Sequence, residues 1–211
     1  MSTFYVVRHG ESVANLLHEK GKAHTLVWSK LGTALSEKGI QQAETLAQII
    51  KDIHFDAAFS SDFIRAHQTA KILTQGKKLA VQVTHRIRER MFGILEKDPF
   101  GDALWETMQK EIQKLSHEDA LKHKPSVDAE SMDDAASRLI TFLREIAISY
   151  KNKTILVVCH GNLMRSMLLH LDFATSQQLQ HASIENTGYF IVETNGKDFA
   201  IKKAVGIHTI A

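Results

Sequence analysis

Two histidines that end apolar runs set the chemistry open to this chain. The stretch F-Y-V-V-R-H-G-E-S-V-A-N, Phe4 to Asn15, passes from β-branched and aromatic residues straight into Arg8, His9 and Gly10. Far along the chain T-I-L-V-V-C-H-G-N, Thr154 to Asn162, repeats the device with His160 and Gly161. This is how a buried strand delivers polar side chains to a sheet edge. Parallel strands of an α/β sheet present their carboxyl ends at one edge, where ligands bind. If the two runs are neighbours there, their imidazoles face each other. Arg65 falls at a strand-to-helix turn. A cation in a first helical turn is disfavoured by roughly 0.3–1 kcal/mol unless an anion lies close by. Arg86 to Asp98, R-I-R-E-R-M-F-G-I-L-E-K-D, adds Glu89 and Glu96 as candidate acids. Two arginines, two imidazoles and the backbone amides of Gly161-Asn162 at a helix start make a pocket for a phosphoryl dianion. A carboxylate would need fewer donors.

Other chemistries fit less well. A lone histidine at a strand end is more often a loop or core residue than a catalyst, so the weight rests on the pair. There are twelve histidines, but none has H-E-x-x-H or a comparable ligand spacing, and the arginines would repel a cation. A serine triad lacks its G-x-S-x-G elbow. Cys159 is the single cysteine, which excludes an intramolecular disulfide and a cysteine-built zinc site. It ends an apolar strand next to His160, which leaves a nucleophile role open, but adjacent strand residues point to opposite faces, and a buried, inert thiol is the expectation.

The elements that must position these groups alternate. Strand Phe4 to Val7 leads into an irregular segment from His18 to Thr33, expected as a loop over the strand edge. Ser36 caps a helix with Ile40, Ala43, Leu46, Ile49 and Ile53 at near-helical spacing. Strand Phe55 to Phe59 runs into Ser60-Ser61-Asp62, read as an N-cap cluster, and a helix through Ile72. Val81 to Val83 is a third strand. Pro99 and Pro125 bracket an amphipathic segment with Leu104, Met108, Ile112 and Leu115 on one face, expected to dock over the site. Ser131 and Asp134 open the helix of Ala135, Leu139, Phe142, Ile146 and Tyr150 with a capping box. Strand Ile155 to Cys159 and a helix through Leu171 follow. Gly188 to Glu193 and Phe199 to Val205 flank Asn195-Gly196 as a hairpin. The fold class is therefore α/β: a three-layer sandwich with a mostly parallel central sheet flanked by helices, an antiparallel edge strand, and a small helical cap inserted at about 98–125. Residues 1–211 read as one domain.

The 211 residues are 44% hydrophobic and 24% charged, with a net charge of +2. That is a globular balance, and the scattered lysine pairs do not form a nucleic-acid stripe. No apolar run approaches the roughly 20 residues that span a bilayer, and no signal-peptide layout is present at the N-terminus. A cytoplasmic protein without nucleic-acid or membrane partners is expected.

V-R-H-G-E-S-V-A-N at Val7 to Asn15 resembles the signature of the histidine phosphatase superfamily, in its phosphoglycerate-mutase-like branch. The likeness continues in order through L-S-E-K-G-I-Q-Q-A (Leu35 to Ala43), S-S-D-F-I-R-A-H-Q-T-A (Ser60 to Ala70), E-R-M-F-G-I-L-E (Glu89 to Glu96), E-S (Glu130-Ser131) and V-C-H-G-N-L-M-R (Val158 to Arg165). It covers nearly the whole length except the cap. The resemblance implies that His9 is the nucleophile that becomes a phosphohistidine, and that Arg8, Arg65 and His160 hold the phosphoryl oxygens. Glu89 would be the general acid that protonates the leaving oxygen and then activates water. Asn15, Gly161 and Asn162 match substrate-contacting positions, and Arg90 resembles an arginine that mutases use on a substrate carboxylate. Family members need no metal, so no cofactor is expected. The partner is a small phosphorylated substrate, and a homodimer is open to the chain. Such chemistry requires a neutral His9 and a protonated Glu89, with their pKa values pushed in opposite senses. Lys97 stands where many family phosphatases have glycine, Gly32 replaces a common aspartate, and the loop Leu16 to Ala34 is longer than usual. All three bear on the substrate rather than the reaction. The leading expectation is a phosphatase. A mutase is the alternative, although Lys97 to Pro125 lacks a mutase's arginine- and proline-rich character. A catalytically silent phosphoester-binding module is the non-enzyme alternative.

Overall fold

A computed structural model describes residues 1–19, 32–93 and 101–210. Glu96, Lys97, loop positions 20–31, cap positions 98–100 and the side chain of Leu104 lie outside the described residues. In chain order the elements are β1 (Ser2–Arg8), α1 (Val13–Glu19), α2 (Glu37–Ile49), β2 (Ala57–Ser61), α3 (Ile64–Leu73), β3 (Val81–Thr84), α4 (Gly101–Ile112), α5 (His117–Lys122), α6 (Met132–Ser149), β4 (Thr154–Cys159), α7 (Gly161–His170), β5 (Ile184–Thr194) and β6 (Phe199–Ile207). The sheet order is β3-β2-β4-β1-β5-β6. β1 to β4 pair in parallel, while β5 runs antiparallel to both β1 and β6.

Alternation along the strands builds two cores at once. Phe4, Val6, Ala57, Phe59, Ile155, Val157 and Cys159 face α6 and α7, in a cluster with Leu139, Leu143, Leu163 and Met167. Val7, Ala58, Leu156 and Val158 face the other way, against Leu46 of α2 and Ala66, Ala70 and Leu73 of α3. Strand β4 is buried on both faces, which explains its unbroken apolar run. The cap residues Met108, Ile112 and Ala120 join the α6–α7 cluster.

Several expectations need adjusting. The chain after Gly10 forms α1, so His18 and Glu19 are helical rather than loop. In α2 the buried residues are Gly39, Ala43 and Leu46, with Ile50 buried at the C-cap, while Ile40 and Ile49 are 41% and 66% exposed. A spacing of three drifts around a helix of 3.6 residues per turn, so the set 40-43-46-49 leaves the core face at both ends. β3 passes into a 3-10 turn, His85–Ile87, whose N-cap Thr84 accepts the Arg86 N–H. The capping box of Ser131 and Asp134 and the turn at Asn195-Gly196 are where the sequence puts them.

Candidate active site

The two strand-ending histidines meet because β1 and β4 pair in parallel with Arg8 opposite Cys159. The His9 N–H donates to the Cys159 carbonyl at 3.1 Å, and the imidazole centroids lie 5.1 Å apart at 65°. The loop after His9 is pressed onto the start of α2. A Cβ on Gly10 would lie 2.4 Å from the Gly39 carbonyl oxygen, so glycine is needed for the close approach. Thr69 of α3 accepts the Gly10 N–H at 3.0 Å, Gln42 of α2 accepts the Glu11 N–H at 2.8 Å, and Ser36 donates to the buried Glu11 carboxylate at 2.6 Å. Asn186 Nδ2 donates to the His9 carbonyl at 3.1 Å.

These contacts fix the backbone, and the ring's own contacts fix its tautomer. His9 Nδ1 lies 2.7 Å from the Gly10 carbonyl oxygen, which can only accept, so Nδ1 carries the proton. Nε2 therefore presents its lone pair, which accepts from Arg65 Nε at 3.0 Å. Burial, then the charges of Arg65 and Arg8, push the His9 pKa well below its usual 6.5, with the Gly10 carbonyl opposing. His160 is shifted the same way, first by burial and then by Arg65. Its Nδ1 is 3.5 Å from Arg65 Nη2 and its Nε2 is 2.9 Å from Ser61 Oγ. Both imidazoles are neutral at neutral pH.

Arg65 is 1% exposed, in the first turn of α3. The expected cap cluster does not cap α3: its N-cap is Phe63, with no side-chain bond. β2 runs through Ser61, whose hydroxyl reaches His160, and Asp62 turns to the guanidinium of Arg88 at 2.8 Å. Phe63 instead supports the Arg65 guanidinium, 4.7 Å from its ring centroid. Burial lowers the Arg65 pKa to about 10, against the opposing charge of Glu89, so it stays cationic. Arg8 donates through Nη1 to the Ile184 carbonyl. Gly161 lies against the Arg8 side chain, where a Cβ would sit 3.2 Å from Arg8 Nε.

Glu89 corrects one expectation directly. The amide of Asn162 does not face an anion pocket; it donates to Glu89 Oε2 at 3.2 Å, and the Leu163 amide donates to Oε1 at 2.9 Å. Asn162 Nδ2 adds a contact at 3.4 Å and the Arg90 N–H one at 2.8 Å. α7 has no side-chain cap and no acidic residue in its first turn, so a carboxylate from another element satisfies its orphan amides. Arg90 is buried, with Nε on the Glu130 carbonyl at 3.0 Å and Nη2 on that of His123 at 3.5 Å. Burial lowers its pKa to about 10. Asn15 turns its carbonyl back to Ser12, accepting its N–H at 3.0 Å and its hydroxyl at 2.7 Å.

The fold thus gathers Arg8, His9, Arg65, Glu89, His160, Gly161 and Asn162 at one sheet edge, while the described contacts of Arg90 and Asn15 are made within the protein. Ser61, Thr69 and Gln42 were missed as parts of the site. Their partners are distant in sequence, and only their places in matched motifs hinted at them. The Cys159 thiol is buried, and its pKa is pushed up mainly by that burial, as an inert core residue requires. Among the described residues no group of three or more His, Cys, Asp or Glu is arranged to hold a metal ion, and no helix is long and apolar enough to cross a membrane.

Known proteins share this fold. The adenosylcobalamin/alpha-ribazole phosphatase of Escherichia coli is 23% identical over 208 residues, covering 96% of this chain and 97% of that protein. The crystal structure of phosphoglycerate mutase from Bacillus anthracis superposes with a TM-score of 0.77 at 27% identity, covering 98% of this chain and 93% of that one. Phosphoserine phosphatase from Entamoeba histolytica, solved with 3-phosphoglyceric acid, gives 0.72 at 24% identity, with 97% of each chain covered. Relatives and structural neighbours thus include phosphatases and a mutase. A model of the histidine phosphatase superfamily (branch 1) matches residues 4–205, and the chain belongs to that family.

Proposed function

We propose that the protein is a metal-independent phosphatase that hydrolyses a small phosphate monoester through a phosphohistidine on His9 Nε2. The observation that carries this reading is the fixed tautomer. Nδ1 is held by the Gly10 carbonyl, and the lone pair on Nε2, which accepts from Arg65 Nε, is directed among Arg65, Arg8 and His160. On substrate binding, Arg65 exchanges its contact with Nε2 for the phosphoryl oxygens. Nε2 attacks phosphorus, the P–O ester bond breaks, and the leaving oxygen takes from Glu89 a proton that its carboxylate has received from the bound substrate monoanion. Water then attacks the phosphorus and gives its proton to the Glu89 carboxylate. The P–N bond breaks, releasing phosphate and neutral His9. Arg8, Arg65 and His160 supply the fixed donors for charge spread over the phosphoryl oxygens, the largest catalytic contribution expected here.

Residues 1–211 act in this reading as one domain with a cap at about 98–125. The packing of Met108, Ile112 and Ala120 on the α6–α7 core supports it, as does the contact of the His123 carbonyl with Arg90. The expected setting is the cytoplasm, with a small phosphorylated substrate as partner. The use of Arg90 donors on Glu130 and His123 favours a phosphatase over a mutase, in which that arginine would serve a substrate carboxylate. A panel of phosphomonoesters in chelator tests the proposal. Phosphate release by the wild type, lost in His9→Ala, is expected. Activity that disappears with chelator contradicts the metal-free mechanism. Isomerised phosphoglycerate formed with a bisphosphate primer replaces it with a mutase. Saturable phosphate binding without turnover replaces it with a binding module.

A further inference from the structure

Residues 88–92, which carry Glu89, have no helix or strand ladder to hold their backbone. One side chain of α6 and one residue just before it supply what is missing. Arg138 forks the Glu130 carboxylate through Nε at 2.8 Å and Nη2 at 2.7 Å. The same guanidinium donates through Nη1 to the carbonyls of Arg86 at 2.9 Å and Arg88 at 3.0 Å, and through Nη2 to that of Glu89 at 3.4 Å. Glu130 holds the rest of the segment. Its Oε2 accepts the Met91 N–H at 3.0 Å, its own N–H donates to the Met91 carbonyl at 2.9 Å, and its carbonyl accepts Arg90 Nε at 3.0 Å.

The residues on both sides of Glu89 are therefore tied to this pair, while the Glu89 side chain goes to the Asn162 and Leu163 amides. Neither Glu130 nor Arg138 is hydrogen-bonded to His9 or His160 among the described residues. We infer that the Glu130–Arg138 pair is a positioning device for the acid: it clamps the backbone of 86–91 so that the Glu89 carboxyl is held beside the phosphoryl pocket. The inference rests on the proposed acid role of Glu89. A general acid must lie within hydrogen-bond reach of the atom it protonates, and an error of about 0.5 Å in a supporting residue is enough to spoil such a site. α6 itself is anchored elsewhere, by Leu139 and Leu143 in the core, so a loosened clamp should move the loop and leave the fold.

The discriminating measurement compares two aryl phosphates: phenyl phosphate, whose leaving oxygen needs a proton, and dinitrophenyl phosphate, whose leaving oxygen does not. The readout is the ratio of their kcat/KM values, which reports the first phosphoryl transfer. Arg138→Lys keeps the charge and loses the fork. Glu130→Gln keeps the shape and loses the charge, and serves if the first variant does not fold. The expected result is a selective loss on phenyl phosphate that shifts the ratio by about tenfold or more, in the same sense as Glu89→Gln. Competitive inhibition by inorganic phosphate should stay within about twofold, because the phosphoryl pocket is intact. An equal loss on both esters, while Glu89→Gln keeps its selectivity, overturns the clamp. If Glu89→Gln itself shows no selectivity, the acid assignment fails first and the clamp falls with it.

Discussion

Arg65 donates to the same His9 nitrogen that is proposed to attack phosphorus, so in this structure the proposed nucleophile is capped by the group proposed to hold its substrate. That arrangement works only while His9 is neutral. Burial is the larger cause of its lowered pKa and Arg65 the second, and the same order holds for His160. Between about pH 8 and pH 6, where exposed histidines titrate, the ring-proton resonances of His9 and His160 should therefore stay put in an NMR titration. A midpoint near 6.5 for either ring contradicts the account. Ser61 offers a second test at this scale. Ser61→Ala leaves a buried imidazole nitrogen without its partner, at a cost of about 1–3 kcal/mol in unfolding free energy and a fall in turnover; unchanged stability would show the contact to be dispensable. The identities of His9, His160, Arg8 and Arg65 were legible in the sequence because strand ends and a motif carried them. The role of Ser61 was not, because a serine before Asp62 is also what a helix cap looks like, and its partner is 99 positions away.

The elements that frame the site approach closely at two glycines, one against backbone and one against a side chain, and the two should respond differently to a methyl group. A Cβ on Gly39 would stand 1.9 Å from the Glu11 carbonyl oxygen, a backbone atom that cannot step aside. Gly39→Ala should cost several kcal/mol, on the order of an overpacked core, and depress the melting temperature sharply. Gly161→Ala meets instead the Arg8 side chain at 3.2 Å, which can give by a few tenths of an ångström where backbone cannot, so the variant should fold with near-normal stability and, with Arg8 displaced, a raised KM. Equal melting temperatures for the two variants would refute the distinction. The start of α7 shows what a sequence can hint at without resolving. A helix opening on His-Gly-Asn, with neither a capping side chain nor an acid in its first turn, signals a partner from elsewhere, yet only the fold identifies it as Glu89.

For the whole molecule, the alternation of strands with helices along the chain was readable from residue pattern, and so was the three-layer class. The order β3-β2-β4-β1-β5-β6 was not, because it depends on pairing between strands far apart in the chain. Burying two neutral histidines also links stability to pH. Their folded pKa values lie below the usual 6.5, so below that pH the unfolded chain binds protons that the folded one refuses. Stability should be full above about pH 7 and fall as the pH drops through 6.5, seen as a falling urea midpoint by about pH 5. A midpoint constant across that interval contradicts the burial of two neutral rings.

The central claim is that His9 Nε2 accepts the phosphoryl group, and rapid acid-free quenching of the enzyme during turnover of a labelled phosphomonoester tests it most directly. The account predicts a phosphohistidine on residue 9, substituted at Nε2 and absent from His9→Ala. Label at Nδ1, label on another residue, or turnover with no phosphoenzyme under single-turnover conditions would contradict it.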